Sequence, residues 1–324
     1  MATITKSLSG ELAEDVLHGL SGSGQKRLSS RFFYDDLGSA LFEAITLLPE
    51  YGLTRADERL LRTHAPKIAH AVGHVSTVAE IGSGSGRKTR FLLEAFTRSS
   101  HELIYRPVDV SAAALAACEL QLGDVAEVRP ILADWFEGLD NLSRVRSDGP
   151  ALVLFLGSTI GNLDRPAMLD FLSRLRVTLR PGDYFLLGAD LVKDIDIMLR
   201  AYDDPTGVTA AFNLNVLARI NRELDADFDL RSFAHEARWN PAERRIEMHL
   251  RSERDRRVRV RCLDRSFCFR AGETIWTESS HKFSLAELKD YALRTGFNPL
   301  ASWVDAEWPF ANVLWRVTEA GLSR

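Results

Sequence analysis

Three glycines spaced two apart are the residues in this sequence best suited to chemistry. The stretch 78–90 reads V-A-E-I-G-S-G-S-G-R-K-T-R, and its glycines are Gly82, Gly84 and Gly86. Glycine adopts positive φ without steric cost and lets a ligand approach bare backbone, and the first amides of a following helix are left for a polar ligand. The apolar and β-branched residues within 76–81 predict a short buried parallel strand. The stretch therefore predicts a strand, a glycine turn and a helix that bind a polar cofactor.

The spacing of these glycines discriminates between cofactors. A dinucleotide-binding turn places its third glycine five residues after the first, to seat a pyrophosphate. Here the third glycine comes four residues after the first, and Arg87 takes the fifth place. Glu80 stands two residues before Gly82 and completes an acidic-x-G-x-G-x-G pattern. This pattern resembles the first motif of the class I methyltransferases, which bind S-adenosylmethionine; a nicotinamide dehydrogenase and a tight loop without a ligand remain as alternatives.

Polar side chains follow the next strands of the predicted sheet. Asp109 ends the second strand, where a carboxylate can accept two hydrogen bonds from a ribose, unless it only caps the next helix. Asp134 and Trp135 follow the third strand and could bind an adenine amine and cover its ring, unless they form a plain turn. Asn162 follows the fourth strand and has the donors and the acceptor to hold an amino acid, but Gly161 and Asn162 are also typical turn residues.

An alternating sheet is needed to bring these side chains together. From residue 76 the pattern alternates strands and helices, as in a parallel sheet with helical crossovers, and ligands of such sheets lie at the carboxyl ends of the strands. We predict strands at 76–81, 103–108, 127–132, 151–156 and 184–187, and helices at 88–97, 112–120 and 167–179. A capped helix at 284–295 with Glu287 at its third position, and two closing strands near 301–304 and 311–317, should return the chain to this sheet.

The rest of the chain has a different pattern. Helical spacing is present at 10–20, at 55–71 and in a helix that buries Leu37, Leu41, Phe42 and Ile45 before Pro49. After residue 190 two helices, 195–201 and 206–223, precede strands through 232–278. We therefore predict an α/β fold, a Rossmann-like class I methyltransferase sheet with helices on both faces, plus an α+β substrate-binding domain. The sheet domain would comprise 57–191 and 283–324, and the second domain 1–56 and 192–282.

Composition limits the classes of partner. The chain has 324 residues, 45% of them hydrophobic, and a formal net charge of -4, so it can bury a core and lacks the basic balance that nucleic-acid binding needs. The run R-R-V-R-V-R at 256–261 alternates as an exposed strand does, with a nucleic-acid patch as the alternative. We see no bilayer-spanning run and no secretion signal, and expect a cytoplasmic protein with no membrane partner. Without CxxC or HExxH spacing, we expect no metal.

Nine short strings look together like the L-histidine Nα-methyltransferases of ergothioneine biosynthesis, and they cover nearly the whole chain in order. They are F-F-Y-D (32–35), L-P-E-Y (48–51), E-I-G-S-G (80–84), F-L-G-S-T-I-G-N (155–162), L-V-K-D (191–194), A-Y-D-D (201–204), G-V-T-A-A-F-N (207–213), R-I-E-M (245–248) and T-E-S-S-H-K-F (277–283).

The resemblance implies three successive methyl transfers from S-adenosyl-L-methionine to the α-amine of L-histidine, giving hercynine. L-histidine and its mono- and dimethyl forms would be the small-molecule substrates, and we expect a monomer. The sequence departs from the family pattern after Tyr51, where Gly52 and Leu53 stand in place of a second aromatic residue and a proline. Glu278 and Met248 favour histidine, since an apolar residue at 278 would suit an indole better. Another amino acid such as tryptophan, or binding of S-adenosylmethionine without catalysis, are the alternatives.

Site roles are carried over from the resemblance by matched position. Tyr34 and Asn162 would be catalytic, with Tyr34 orienting the amine and helping to move its proton, alone or through a water. Asn162 and Tyr202 would hold the substrate carboxylate, and Tyr51, Glu278 and Ser280 would contact the imidazole. Glu278 and Ser280 stand two apart on a predicted strand, so both side chains point to one face. The rest of the pocket lining would be Phe42, Thr209 and Met248, and the cofactor contacts would be Gly82, Lys88, Asp109, Asp134 and Trp135. From the residues alone, Lys88 is interpreted as a solvated residue of a first helical turn.

Overall fold

The computed structural model describes residues 2–98, 103–145 and 149–318. The helices are α1 (Ala2–Ser21), α2 (Asp36–Leu47), α3 (Gly52–Val72), α4 (Arg90–Thr97), α5 (Ala112–Leu122), α6 (Trp135–Val145), α7 (Arg165–Thr178), α8 (Ile195–Tyr202), α9 (Val208–Leu224) and α10 (Leu285–Arg294). The strands are β1 (Lys26–Arg27), β2 (Thr77–Ile81), β3 (Ile104–Asp109), β4 (Glu127–Val128), β5 (Ile131–Leu132), β6 (Ala151–Phe155), β7 (Tyr184–Asp190), β8 (Phe233–Asn240), β9 (Arg245–Ser252), β10 (Arg256–Val260), β11 (Arg265–Phe269), β12 (Thr274–His281), β13 (Phe297–Val304) and β14 (Phe310–Val317).

The chain divides into two compact units, each built from two separate segments. The first unit comprises Met1–Tyr51 and Asp194–Ser280, and the second comprises Gly52–Lys193 and His281–Arg324. The substrate-binding and cofactor-binding roles that the sequence predicts for two domains stay predictions.

A mostly parallel sheet forms the second unit, in the order β13-β14-β7-β6-β2-β3-β4, with β5 also paired to β3. Neighbours from β7 to β4 are parallel, and β14 is antiparallel to both β7 and β13. From β2 the chain adds β3 and β4 toward one edge of the sheet, and from β6 it adds β7 toward the other edge. The direction of winding therefore changes between β2 and β6. Their carboxyl ends therefore flank the crevice in which such sheets bind ligands.

Alternate residues of the central strands pack against helices on opposite faces of this sheet, as a side-chain period of two requires. On one face Ala79, Ile81 and Phe155 join a core with side chains of α6, α7 and α10. On the other face Val78 and Leu154 join side chains of α3, α4 and α5. The predicted α/β sheet with helices on both faces is confirmed.

The first unit combines helices with a small sheet in the order β1-β12-β9-β8. Strands β8 and β9 are antiparallel, and β1 pairs with β12 in parallel. A separate hairpin, β10 with β11, carries the basic run. Within β10 Val258 and Val260 are buried while Arg257 and Arg259 are exposed, so the predicted exposed strand is confirmed.

Side-chain caps set the starts of several helices; the cap of α10 was predicted and is confirmed, and the others were not predicted. Ser284 and Glu287 form a reciprocal capping box at the start of α10, because each side chain accepts a hydrogen bond from the other residue's backbone N–H. Asp164 caps α7 and Asp35 caps α2 by accepting backbone N–H bonds in the same way.

One helix was not predicted, and two expectations about elements are wrong. Helix α6 was not predicted, and it fills the connection between β5 and β6. The predicted strand 127–132 is divided into β4 and β5 around Pro130, which lacks the N–H that a continuous strand pairing requires. Leu37 is 52% exposed rather than part of the buried face of α2, because the helix begins at Asp36 and Leu37 lies in its first turn. Across the described residues, no helix is both long and apolar enough to cross a membrane.

Candidate active site

The glycine turn after β2 leaves bare backbone facing open space. Gly82 and Gly84 have φ of 67° and 53°, in the left-handed region where side chains are disfavoured. A Cβ at Gly84 would meet nothing within 4 Å, and one at Gly82 would meet only Trp135 Nε1 at 3.6 Å and Thr159 Cγ2 at 3.8 Å. A Cβ at Gly86 would instead lie 2.6 Å from Cys118 Sγ on α5. The first two glycines therefore leave room for a ligand, while the third allows the turn to pack on α5.

Asp109, at the end of β3, bonds to this turn. Its Oδ2 accepts a hydrogen bond from Gly84 N (2.9 Å), and its Oδ1 accepts one from Ser111 N (2.9 Å). Helix α5 is capped by Ser111, whose hydroxyl accepts from Ala114 N, so Asp109 is not the N-cap residue. Burial raises the pKa of Asp109, and the amides of Ser111, Gly84 and Val110 oppose that rise. A carboxylate has four lone-pair sites, so Asp109 can accept further hydrogen bonds from hydroxyls.

Asp134 and Trp135 lie at the start of α6. Asp134 Oδ1 accepts hydrogen bonds from Phe136 N and Glu137 N, both 2.9 Å. The alternative of a plain turn is therefore wrong, because the carboxylate satisfies two of the N–H groups that a helix start leaves unpaired. Trp135 is half-buried and makes a T-shaped contact with Phe155 at a centroid distance of 5.3 Å, and its indole lies beside Gly82. The structure brings Gly82 and Trp135 together.

Lys88 is not the solvated residue that its position after the turn indicated. Its Nζ donates a hydrogen bond to Asp57 Oδ2 at 2.6 Å, and the two side chains are 21% and 0% exposed. Asp57 was missed by the sequence reasoning. One signal could have found it, since Asp57 stands with Leu53, Ala56 and Leu60 on the buried stripe of α3, and a charged residue on an apolar stripe needs a partner.

Glu80, the acidic residue of the glycine motif, is enclosed within the second unit. It is 1% exposed, and its Oε2 accepts hydrogen bonds from Thr89 Oγ1 (2.6 Å) and Tyr105 Oη (2.5 Å). Burial raises the pKa of Glu80 to about 7, while the charge of Lys88 and the two hydroxyls act in the opposite direction. The Thr89 bond connects the strand before the glycine turn to the short helix after it, and the Tyr105 bond connects that strand to β3.

Asn162 ends a loop with unusual backbone geometry after β6. Gly157 and Ser158 both have positive φ, 72° and 60°, and a 3-10 turn, Thr159–Asn162, follows. Ser158 Oγ accepts a hydrogen bond from Asp190 N at 2.9 Å, and a Cβ at Gly161 would lie 2.9 Å from His281 O. Asn162 is thus half-buried in a turn, as the alternative stated, and neighbouring backbone within the second unit fixes that turn.

In the first unit, five of the predicted substrate residues form a continuous series. Ring centroids lie 5.6 Å apart for Tyr34 and Phe42, 6.3 Å for Phe42 and Tyr51, and 6.0 Å for Tyr51 and Tyr202. The Tyr202 hydroxyl then lies 2.7 Å from Ser280 Oγ. The fold therefore brings together side chains that are as far apart in the sequence as Tyr34 and Ser280. Tyr202 and Ser280 are in direct contact, although the resemblance assigns the substrate carboxylate to Tyr202 and the imidazole to Ser280.

The remaining predicted residues of this unit lie on three of its elements. Glu278 and Ser280 are both on β12 and face the same side, with Glu278 half-buried. Met248 is buried on β9, and its carbonyl accepts a hydrogen bond from Thr277 Oγ1 (3.0 Å). Thr209 is buried in the first turn of α9, where its N–H donates to Asp204 Oδ1 (2.7 Å).

Three residues in the first unit were missed by the sequence reasoning. The Phe212 ring lies 5.7 Å from that of Tyr34 and 6.0 Å from that of Phe42. Asn213 is fully buried and bonds to His235 Nδ1 (2.8 Å), His249 O (3.1 Å) and Thr277 Oγ1 (2.7 Å). His235 Nε2 in turn lies 2.7 Å from the Tyr202 carbonyl. Phe212 and Asn213 belong to the string G-V-T-A-A-F-N, which was the available signal.

These hydrogen bonds determine the protonation state and the tautomer of the His235 ring. Because the Asn213 amide donates to Nδ1, His235 is neutral and its Nε2–H donates to the Tyr202 carbonyl. Burial lowers the pKa of His235, and the bond to Tyr202 opposes that shift. The network ties the end of α8, which carries Tyr202, to α9 and to the small sheet. In the part of the chain that is described, no group of three or more His, Cys, Asp or Glu side chains is arranged to hold a metal ion.

Comparison with known proteins gives consistent matches over most of the chain. A family model described as "Histidine-specific methyltransferase, SAM-dependent" matches residues 12–317. The chain is 44% identical over 302 residues to a histidine N-alpha-methyltransferase of Mycobacterium tuberculosis, covering 92% of each chain. It is 47% identical over 290 residues to a protein of the same name from Mycolicibacterium smegmatis, covering 87% of this chain and 89% of that one. It is also 32% identical over 206 residues to ergothioneine biosynthesis protein 1 of Neurospora crassa, covering 61% of this chain and 23% of that protein.

The buried state of Glu80 predicts a pH dependence of stability. Its pKa is raised from 4.5 to about 7 in the folded chain, so between these values the folded state holds a proton that the unfolded state has released. The free energy of unfolding therefore falls as pH rises through this window, by about 1 to 3 kcal/mol. Urea unfolding from pH 5 to 8 should show this loss in the natural chain and a smaller one in Glu80→Gln. Glu94→Gln, at a half-buried glutamate of α4 that pairs with Arg90, is the control and should lose the same free energy of unfolding over this pH range as the natural chain. An equal pH dependence in all three proteins would contradict the assignment to Glu80.

Proposed function

The chain belongs to the family of histidine-specific, S-adenosylmethionine-dependent methyltransferases, and from this premise we propose that it transfers methyl groups to the α-amine of L-histidine. Three transfers in succession give hercynine, the first product of ergothioneine biosynthesis. The observation that carries the proposal is the similarity to two mycobacterial histidine N-alpha-methyltransferases over most of both chains. The chemistry of the side chains described above supports it.

We assign the cofactor to the second unit, because its donors and acceptors suit each part of S-adenosylmethionine. The open faces of Gly82 and Gly84 leave room for a ligand beside the turn. Asp109 can accept hydrogen bonds from the ribose hydroxyls, and the Lys88 ammonium can donate to the methionine carboxylate. Trp135 offers an indole face for the adenine, with Asp134 as the acceptor for its amine. When bound, this group supplies a methyl already activated by a positively charged sulfonium.

The chain's own contribution is then to position the amine and remove its proton. Holding the attacking nitrogen in line with the transferred methyl group converts an encounter in solution into a step within one complex, which contributes most of the rate. We assign the substrate carboxylate to Asn162 and Tyr202. We assign the amine to Tyr34, whose hydroxyl can accept a hydrogen bond from the ammonium and, as it takes up that proton, release its own proton to a water molecule before each transfer.

Recognition of the imidazole is assigned to Tyr51, Glu278 and Ser280. A carboxylate and a hydroxyl can bond to the two different ring nitrogens, since one is a donor and the other an acceptor in the neutral ring. The common face of Glu278 and Ser280 on β12 supports this pairing. Phe42, Thr209 and Met248 would complete the lining of the pocket.

Mass spectrometry of the reaction tests the function directly. Purified protein with S-adenosylmethionine and L-histidine should give mono-, di- and trimethyl histidine, with hercynine accumulating at the end. A panel of other amino acids, tryptophan among them, should give far less methylated product. Trimethylation of tryptophan in preference to histidine, or cofactor binding with no methylated product from any amino acid, would reject the proposal in favour of the corresponding alternative.

Tyr34→Phe should change the distribution of products. Loss of the hydroxyl removes the group assigned to deprotonation, so partly methylated histidine should accumulate relative to hercynine at equal substrate consumption. The control is Tyr184→Phe, at the start of β7 in the second unit, which should leave the product ratio unchanged. An unaltered ratio in Tyr34→Phe would remove Tyr34 from the mechanism.

Glu278→Ala should weaken histidine binding. An imidazole N–H left buried without its acceptor costs ~1 to 3 kcal/mol, which is roughly a 5- to 150-fold rise in KM for histidine, with KM for S-adenosylmethionine unchanged. Glu236→Ala removes a glutamate of β8 that pairs with Arg238 and provides the matched control. KM for histidine is measured by steady-state kinetics in both variants. If KM for histidine in Glu278→Ala equals that of the natural chain, the role of this carboxylate is refuted.

A further inference from the structure

Asp57 is a buried charge for which the proposed chemistry has assigned no role. Its side chain is 0% exposed. Oδ2 accepts hydrogen bonds from Lys88 Nζ (2.6 Å) and from Gly157 N (2.8 Å), and Oδ1 accepts one from Asn312 Nδ2 (3.0 Å). A buried carboxylate is strongly destabilising unless it is paired and hydrogen-bonded. Both oxygens of Asp57 meet that condition through contacts with three separate segments of the second unit.

Two of these contacts lie on the two sides of the ligand crevice. Lys88 belongs to the 3-10 turn Arg87–Thr89, which follows the glycine turn after β2. Gly157 is the second residue after β6. Strands β2 and β6 are parallel neighbours, and the winding of the sheet changes direction between them. A single carboxylate on α3 therefore bonds to the residues that follow both strands at the position where such sheets bind ligands.

The contacts of Asp57 restrict the ammonium of Lys88. A lysine side chain is a flexible four-carbon stem, and free motion of the ammonium would have to be lost when it binds a ligand. Here Nζ is bonded to Asp57 and lies close to bare backbone, since a Cβ at Gly157 would be 3.0 Å from it. An ammonium has three donors, so the bond to Asp57 leaves others with which a ligand carboxylate can bond.

We propose that Asp57 is a positioning residue for cofactor binding, which holds the Lys88 ammonium in the orientation that receives the methionine carboxylate of S-adenosylmethionine. Asp57 acts through Lys88 and does not touch the cofactor itself. The inference rests on the proposed function only in taking Lys88 as a cofactor contact. Because Asp57 already neutralises part of the lysine charge, its contribution is orientation rather than attraction.

If Asp57 only anchored α3, its loss would lower the stability of the protein without a specific loss of cofactor affinity. Helix α3 has a second ion pair in the second unit, in which Arg59 Nε and Nη2 donate to Asp305 Oδ2 (2.9 Å) and Oδ1 (2.6 Å). Asp305 lies between β13 and β14. Asp305→Asn weakens an anchor of the same helix without touching Lys88, so it is the matched control for loss of α3 packing.

The test is a double-mutant cycle on cofactor affinity, measured without histidine. Isothermal titration of S-adenosylhomocysteine, the product form of the cofactor, is carried out on the natural chain, Asp57→Asn, Lys88→Met and the double variant. Each single variant should lose the charge-assisted hydrogen bond between the Lys88 ammonium and the cofactor carboxylate. We therefore expect affinity to fall about 10-fold in each. The double variant should bind no more than about twofold more weakly than Lys88→Met, because both changes remove the same interaction with the cofactor. Asp305→Asn should keep its affinity even where its melting temperature falls.

Two results would overturn the inference. One is that Asp57→Asn binds S-adenosylhomocysteine as tightly as the natural chain does; the other is that the loss of affinity in the double variant equals the product of the two single losses. If Asp57→Asn does not fold, Asn312→Ala replaces it: this variant removes one donor to Asp57 and keeps the charge pair, and we expect about threefold weaker binding, with unchanged binding overturning the inference. Titration without histidine separates the two proposals. A chain that shows the expected coupling but methylates no histidine would reject the proposed function alone, and a histidine methyltransferase without the coupling would reject only the role of Asp57.

Discussion

Positive φ angles in the glycine turn are the constraint on which the second unit depends. With Gly82 and Gly84 in the left-handed region, the turn directs its amides toward β3: Gly82 N and Ser83 N donate to Val108 O, and Gly84 N donates to Asp109. The strand that carries the proposed ribose acceptor is thereby bonded to the turn that would lie against the cofactor. A side chain at either glycine would strain the backbone, and one at Gly82 would also fill the space beside Trp135.

The features that could be predicted from the sequence are those encoded over a few neighbouring residues. The apolar run before Gly82, the alternation of β10 and the Ser284 to Glu287 capping box each depend on local spacing, and each is present in the structure. The α/β architecture follows from the order of such segments. The same holds for Glu278 and Ser280, whose common face needs only the period of a strand.

What could not be predicted depends on contacts between distant residues. Lys88 appeared solvated because its partner, Asp57, is 31 positions earlier in the chain, and only the folded sheet brings them together. The bond between Tyr202 and Ser280 spans 78 positions, and sequence spacing contains no information about it. Helix α6 was missed for a different reason: Asp134 and Trp135 were interpreted as ligand contacts, although an aspartate is also a strong helix start. A residue with two compatible roles cannot be assigned by its type alone.

The pairing of β1 with β12 also has a consequence for how the chain is made. Gln25, beside β1, bonds to the carbonyl of Thr274, which is 249 positions later. A ribosome adding about 5 to 20 residues per second needs on the order of ten to fifty seconds to supply that partner. Until α9 has also been made, Phe33, which is fully buried in the finished protein, lacks the Phe212 ring that lies 4.6 Å from it. Such long-range pairing is slow to form, so the nascent polypeptide exposes apolar surface and an unpaired strand that the finished protein covers.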